Sequence, residues 1–326
     1  MKIRTILTLV VVAIALAGIS LWMGKQAYSW LPPQATAESL LIDDLFSFLV
    51  ALGTFIFLGV IGALSYAVLF QQAGKYDFSD GPAIEGNITL EIVWTAIPLA
   101  LVIWIATYSY QVYDQMSILG PMQHVHLAMA EAAPMTNEAS QEDRMEPIEV
   151  LSRQWVWEFH YPEQNVTSTE LHLPNNQRVK LALKSEDVIH GFYIPAFRLK
   201  QDIIPNQVID LEFTPIREGR YRLRDSEYSG TYFAAMQADV VVESPQAYQQ
   251  WLKEAATQTP QAAYNQAFEE YRQRSKTQTS TAWKTIVPAA PPVVNYSSSP
   301  LEKQEAEGRR QKARKEVGNG VIAFPD

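Results

Sequence analysis

Three long apolar runs in the first third of the chain limit what it can fold into more than any other feature. Residues 5–24 read TILTLVVVAIALAGISLWMG behind Lys2 and Arg4, a second run covers about 45–70, and a third about 92–113. Crossing a bilayer takes ~20 apolar residues in a helix, and runs above ~18 are longer than the buried helices of water-soluble domains need. The second and third runs therefore predict a transmembrane hairpin. The first is either a signal peptide or an uncleaved extra span, since its cationic start suits one and its length the other. Hydrophobic residues make up 48% of the chain, yet mean hydropathy is only -0.09, so the chain beyond the spans must be strongly polar.

Positive charge before the first run favours a start on the inner side of the membrane, which puts segment 25–44 outside, loop 74–90 inside and everything after about residue 116 outside. Tyr108, Tyr110 and Tyr113 lie where the third run leaves the membrane, as an aromatic belt requires. Glu91 opens that run in LEIVWTAIP. Its plainest reading is a carboxylate favoured by the positive end of a helix dipole; the sharper one is a proton-collecting group at the inner mouth of the span. Pro98 falls inside the third run, which membrane helices tolerate.

Along the whole chain, five regions can be separated: a signal peptide or span over 1–24, the hairpin over 25–116, a linker over 117–145, a β domain over 146–258 and a C-terminal extension over 259–326. The linker carries His124, His126 and several methionines, a mixture able to hold copper, but their spacing is irregular and a loop is the simpler reading. From 147 to 243 short alternating runs such as VKLALKS, QVIDLEFTP and GRYRLRD are separated by turn residues, which predicts an antiparallel sandwich or barrel. Ser244 and Pro245 form an N-cap and first-turn proline for a helix. The extension offers one further helix and a mixed-charge tail that reads as a solvated helix or a disordered arm.

There is no cysteine, which removes disulfides, thiolate-held zinc, iron–sulfur clusters, blue copper and cysteine nucleophiles. A net charge of -9 argues against nucleic acid as a partner.

In this order LEIVWTAIP, QWVWEFHYP, ELHLP, SEDVIHGFYIPAFRLKQDIIPNQ, LEFTPIREGRYRLRDSEYSGTYFAAM and VVVESPQAYQQWL resemble subunit II of the haem–copper terminal oxidases over residues 40–255. The resemblance implies a membrane-anchored all-β architecture, a two-helix hairpin followed by a cupredoxin-like β-barrel outside the membrane. In the cytochrome c oxidase branch that barrel holds two coppers between two cysteines four apart, with a glutamate between them, a histidine and a methionine downstream and a histidine upstream. Here the cysteine positions are Asp225 and Ser229 and the downstream histidine is Phe233, leaving His190, Met236 and Glu227 as the matching residues. Neither a serine hydroxyl nor a phenyl ring replaces the soft ligands that hold copper in its lower oxidation state.

The copper-lacking pattern is similar to the quinol-oxidising branch, and DGPAIEGN and YSYQVYDQM look most like its cyanobacterial members, the alternative respiratory terminal oxidases. That likeness implies a subunit of an enzyme that reduces oxygen to water with proton translocation. Subunits I and III would be its partners, a membrane quinol (plastoquinol in the cyanobacterial case) the donor, and the haems and single copper would belong to subunit I. This chain would hold no catalytic residue and no cofactor of its own, in a bacterial plasma or thylakoid membrane with the large domain periplasmic or lumenal. By the same likeness Glu91 stands at the mouth of a proton channel, Glu227 at a magnesium shared with subunit I, and Trp155 where the cytochrome c oxidases receive electrons. Two other readings stay open: a subunit taking electrons directly from a soluble donor, and a purely structural or assembly subunit.

Overall fold

The computed structural model describes residues 3–72, 76, 86–116, 146–277 and 285–297. Its first compact unit contains three helices, α1 (Ile3–Ala27), α2 (Ala37–Phe70) and α3 (Ile88–Met116), each long and apolar enough to cross a membrane. Their large apolar side chains stay exposed almost all round, as lipid-facing helices require. Small residues let α1 and α2 approach: a Cβ on Gly24 would come within 2.9 Å of the Ser47 carbonyl oxygen, and the Ser47 hydroxyl donates to Gly24 O at 2.9 Å. Phe48 of α2 packs edge-on against Trp104 and Tyr108 of α3, at 5.2 and 5.3 Å, so Tyr108 is a helix contact while Tyr110 stays 60% exposed. The α3 helix runs through Pro98 without a break. The linker, with His124 and His126, lies outside the described residues.

The sandwich of the second unit is built from ten of its described strands, in two five-stranded sheets. The strands are β1 (Ile148–Arg153), β2 (Val156–Tyr161), β3 (Val166–Ser168), β4 (Leu171–Pro174), β5 (Val179–Ser185), β6 (His190–Ile194), β7 (Leu199–Ile203), β8 (Val208–Phe213), β9 (Gly219–Asp225) and β10 (Gln237–Glu243). One sheet runs β3-β2-β1-β5-β8 and the other β4-β10-β9-β6-β7. Alternation decides which face is buried: in β5 Leu181 and Leu183 are fully buried while Lys180 and Lys184 reach out to acids on neighbouring strands. A single core of Val150, Trp157, Phe159, Leu183, Phe192, Phe213, Leu223 and Val240 joins the sheets.

The sandwich differs from a purely antiparallel one. β1 pairs with β5 and β4 with β10 in parallel, an arrangement that needs crossover connections and leaves no hairpin signal in the sequence. Residues 34–37, ending at the first residue of α2, also group with the β unit, where Ala35 N donates to Ala196 O at 3.2 Å and Ile216 N donates to Ala35 O at 2.9 Å.

Helix α4 (Pro245–Thr257) starts as its sequence predicts, with the Ser244 hydroxyl accepting from Ala247 N at 3.2 Å. It buries Trp251, Leu252 and Ala255. After it come β11 (Gln261–Ala262), α5 (Gln266–Thr277) and β12 (Val293–Val294). The further helix expected in the extension is thus present, and the segment packs on the β unit: Ala263, Ala267 and Val294 are all buried, and Asn295 and Tyr296 both donate backbone N–H groups to Thr167 O on the outer strand β3, while the mixed-charge tail lies outside the described residues.

Candidate functional site

His190, Asp225 and Ser229 gather at the start of β6, the end of β9 and the loop after it. Two glycines allow the loop to close there. A Cβ on Gly191 would collide with Ser226 Oγ and come within 2.9 Å of Glu227 N, and Gly230, at φ +118°, lets the Trp155 ring lie directly against the backbone.

His190 is fully buried between two carboxylates, Nδ1 at 2.8 Å from Asp225 Oδ2 and Nε2 at 2.9 Å from Asp187 Oδ1. Asp225 accepts three further hydrogen bonds: from Ser229 Oγ at 2.7 Å, Gly191 N at 2.7 Å and Glu227 N at 3.1 Å. The cluster is electrostatically self-consistent. Burial opposes charge on His190, but hydrogen bonds to Asp187 and Asp225 outweigh it and hold the imidazole above its ordinary value. Burial likewise pushes Asp225 up, and the donors from His190, Gly191, Ser229 and Glu227 reverse it, holding the carboxyl below the usual range. For Asp187 burial is again overcome, by His190 together with the backbone N–H groups of Gln154 and Val188. An imidazolium clasped by two carboxylates is the arrangement this describes.

The other site residues are placed differently. Met236 is buried and packs in the core; its carbonyl accepts from Asp225 N at 3.1 Å, and its thioether belongs to the core cluster. Phe233 is half-buried and packs edge-on against Tyr228 at 5.3 Å. Trp155 is 2% exposed, donates from Nε1 to Ser229 O at 3.1 Å, and lies 5.1 Å from the Tyr232 ring. Glu227 points away from the cluster to Lys200 Nζ at 2.8 Å, and Lys200 also reaches Asp202 at 3.3 Å. Hydrogen bonds to Glu227 and Asp202 raise the Lys200 ammonium above its ordinary value. Glu91 lies in the other unit, in the first turn of α3, where Asn87 caps the helix by accepting from Leu90 N at 3.1 Å.

Asp187 and Gln154 were not singled out from sequence. Asp187 stands three residues before His190 in SEDVIH, a spacing that could have marked it as a partner. Gln154 leaves no such signal, yet its N–H donates to Asp187 Oδ2 at 2.7 Å and its Nε2 to Ser229 O at 2.5 Å, so it binds both sides of the cluster.

Two metals can be tested against these donors. A dithiolate copper pair has no thiolate to bridge it, and both ring nitrogens of His190 are committed to carboxylates, so the residues do not fit that group. Magnesium would take a hard oxygen such as Glu227, but the Lys200 ammonium 2.8 Å away, shared with Asp202, already supplies a positive charge there. Among the described residues no group of three or more His, Cys, Asp or Glu side chains is arranged to hold a metal ion.

Comparison with known proteins agrees with this architecture. Residues 20–112 match the family model described as cytochrome c oxidase subunit II, transmembrane domain, and residues 164–244 the one described as cytochrome c oxidase subunit II, periplasmic domain. The chain is 34% identical to a cytochrome c oxidase subunit 2 of Synechocystis over 77% of its own length and 83% of that protein's. It is 33% identical to one from Thermostichus vulcanus, over 72% and 81%. It is 26% identical to a quinol oxidase subunit 2 of Bacillus spizizenii, over 65% and 62%. Helices able to cross a membrane, a periplasmic β domain and these relatives make the chain a membrane-anchored member of the subunit II family of haem–copper terminal oxidases.

Proposed function

We propose that this chain is the copper-free subunit II of a quinol-oxidising terminal oxidase, in which electrons come to subunit I from a membrane quinol, plastoquinol in the cyanobacterial case, rather than through the β domain. The observation that carries the reading is the cluster of His190, Asp187, Asp225 and Ser229, in which the positions of two thiols are occupied by a carboxylate and a hydroxyl already satisfied by hydrogen bonds. Higher identity to proteins named cytochrome c oxidase subunit 2 than to those named quinol oxidase subunit 2 favours a donor protein instead. Identity over a whole chain, however, weighs three ligand positions no more than any other three.

On this reading the two-sheet domain is a cupredoxin-like fold kept for assembly with subunits I and III. The chain's own residues hold the loop after β9 in shape, and Glu91 collects protons for the path into subunit I, where the haems and one copper do the oxygen chemistry. Glu227 would meet a magnesium at the subunit I interface only if Lys200 moves aside. The test is the purified complex. Quinol-driven oxygen uptake at full rate, with metal analysis giving only the copper of subunit I, supports the proposal. Uptake driven by a reduced c-type cytochrome without quinol, or extra copper held by this chain, refutes it.

A further inference from the structure

A signal peptide is cut off after export and needs no specific contact with the chain it leaves behind. Helix α1 makes such contacts. Ser20, Gly24 and Ala27 recur on one face of the helix and are all buried. On α2, Ser47 and Ala51 also share a face, so both helices present small side chains where their backbones meet. At Gly24 there is no room for a side chain: a Cβ would stand 2.9 Å from Ser47 O and 3.0 Å from the Ala51 Cβ. The Ser47 hydroxyl donates across this contact to Gly24 O at 2.9 Å. Closer to the connection between the helices, Tyr28 OH donates to Asp44 Oδ1 at 2.6 Å, and the Trp30 ring stands edge-on to Phe46 at 6.4 Å. As numbers fall from 30 to 24 on one side they rise from 44 to 51 on the other, the register of an antiparallel helix pair.

The connection is committed as well. Ala35-Thr36-Ala37 has the A-x-A pattern at which signal peptides are cut. In the folded chain Ala35 and Thr36 are fully buried; besides the two Ala35 bonds, Ala37 N donates to Thr214 O at 2.9 Å and Thr36 Oγ1 to Phe197 O at 3.2 Å. A cut after Ala37 would detach these built-in residues together with α1.

We infer that α1 is kept in the mature protein as a third membrane helix, docked on the Ser47–Ala51 face of α2. The apolar run over 5–24 has the length of a span and exceeds the about 7–15 apolar residues of a signal peptide. Toward its N-terminus α1 exposes Leu7, Val11 and Ile14, a surface suited to lipid. Three spans that start inside, as Lys2 and Arg4 favour, leave the β domain outside. The inference does not depend on which donor feeds the oxidase.

The experiment is peptide and intact-mass mapping of the subunit purified within the whole oxidase from its own membrane. Retention predicts a chain that starts at or before Thr5 and yields peptides from the first apolar run. A start at any later residue overturns it. A cross-link tests the docking separately. The chain has no cysteine, so Tyr28→Cys with Asp44→Cys introduces the only thiol pair it carries. Mild oxidation of membranes holding this variant should join the two positions, read by mass spectrometry as a disulfide-linked peptide pair, because the native side chains already touch. Tyr28→Cys with Phe57→Cys, about 20 Å farther along α2, should stay unjoined. No link in the first pair, or equal linking in both, overturns the docking.

Discussion

Asp225→Asn is the sharpest perturbation of the cluster, because it removes a charge and almost nothing else. Oδ1 of the asparagine still accepts from Gly191 N and Glu227 N, which reach it at 2.7 and 3.1 Å. On the other side an NH2 group replaces the oxygen to which His190 and Ser229 now donate. The serine hydroxyl can turn and accept. The imidazolium cannot, and a neutral imidazole can accept only after losing its Nδ1 proton. The loss is therefore one charge-assisted hydrogen bond in a fully buried site, about 1.5–3 kcal/mol while His190 is protonated. Full truncation by Asp225→Ala leaves the buried cation with Asp187 alone and two backbone donors without their acceptor, and costs more, about 3–5 kcal/mol.

The sign with pH is set by the directions of the shifts. His190 titrates above its ordinary value in the folded state, so its stabilisation is complete below the unfolded value of about 6.5 and disappears as pH rises through the folded one. Asp225 titrates below its ordinary value, so its contribution is present above about 3.9 and is lost as pH falls through the folded value. The cost of Asp225→Asn is thus largest between about pH 4 and about pH 6.5 and shrinks toward alkaline pH. Urea unfolding of the purified chain in detergent, followed by the near-ultraviolet signal of Trp157 beside His190 at 6.2 Å, measures this in steps from about pH 5 to about pH 10. A destabilisation independent of pH would mean that His190 is neutral and that the clasped imidazolium is wrong.

Other consequences can be measured separately. Glu91→Gln slows oxygen reduction at unchanged haem content; unaltered turnover would remove Glu91 from proton uptake. On the copper-free reading, Asp225→Cys combined with Ser229→Cys and Phe233→His frees Nδ1 of His190 and supplies two thiolates, so the triple variant is expected to take up copper with a near-infrared band absent from the parent. Trp251→Ala, which deletes the ring stacked 3.8 Å from His172 and packed 5.1 Å from Tyr161, lowers stability by about 3–5 kcal/mol by denaturant titration.

Much of this molecule was legible in its sequence because its strongest signals are local. Run length identified the membrane helices, alternation identified β5, β8 and β9, and Ser244 with Pro245 located the start of α4. What stayed hidden depends on contacts between residues far apart in sequence. The parallel pairs β1–β5 and β4–β10 leave no mark on either strand's pattern. Neither does the docking of α5, whose charged EEYRQRSK gives no sign of a buried face while the residues buried at and just before its start are small, Ala263 and Ala267. At the site, the resemblance carried by DSEYSGTYFAAM pointed to Asp225, Ser229 and Phe233, but not to Asp187 and Gln154, which complete the cluster around His190.

Asp225, Ser229 and Phe233 make physical sense only together. Without Asp225 the buried His190 would have no negative charge on its Nδ1 side, a costly arrangement in a fully buried site. Aspartate at 225 supplies that charge, and it is tolerated in the interior because His190, Ser229 and two backbone N–H groups donate to it. Serine at 229 is small enough to sit beneath Trp155 and polar enough to give Asp225 its third kind of donor, while its carbonyl accepts from both Gln154 and Trp155. Phenylalanine at 233, turned toward Tyr228, needs no partner where a histidine would. A single change to cysteine should therefore be worse than either end state. Cysteine at 225 alone strips His190 of an acceptor without completing a metal site, and cysteine at 229 alone takes a hydroxyl donor from Asp225. Only the combined change exchanges one closed set of interactions for another, so the stabilities of the single and multiple variants should be strongly non-additive.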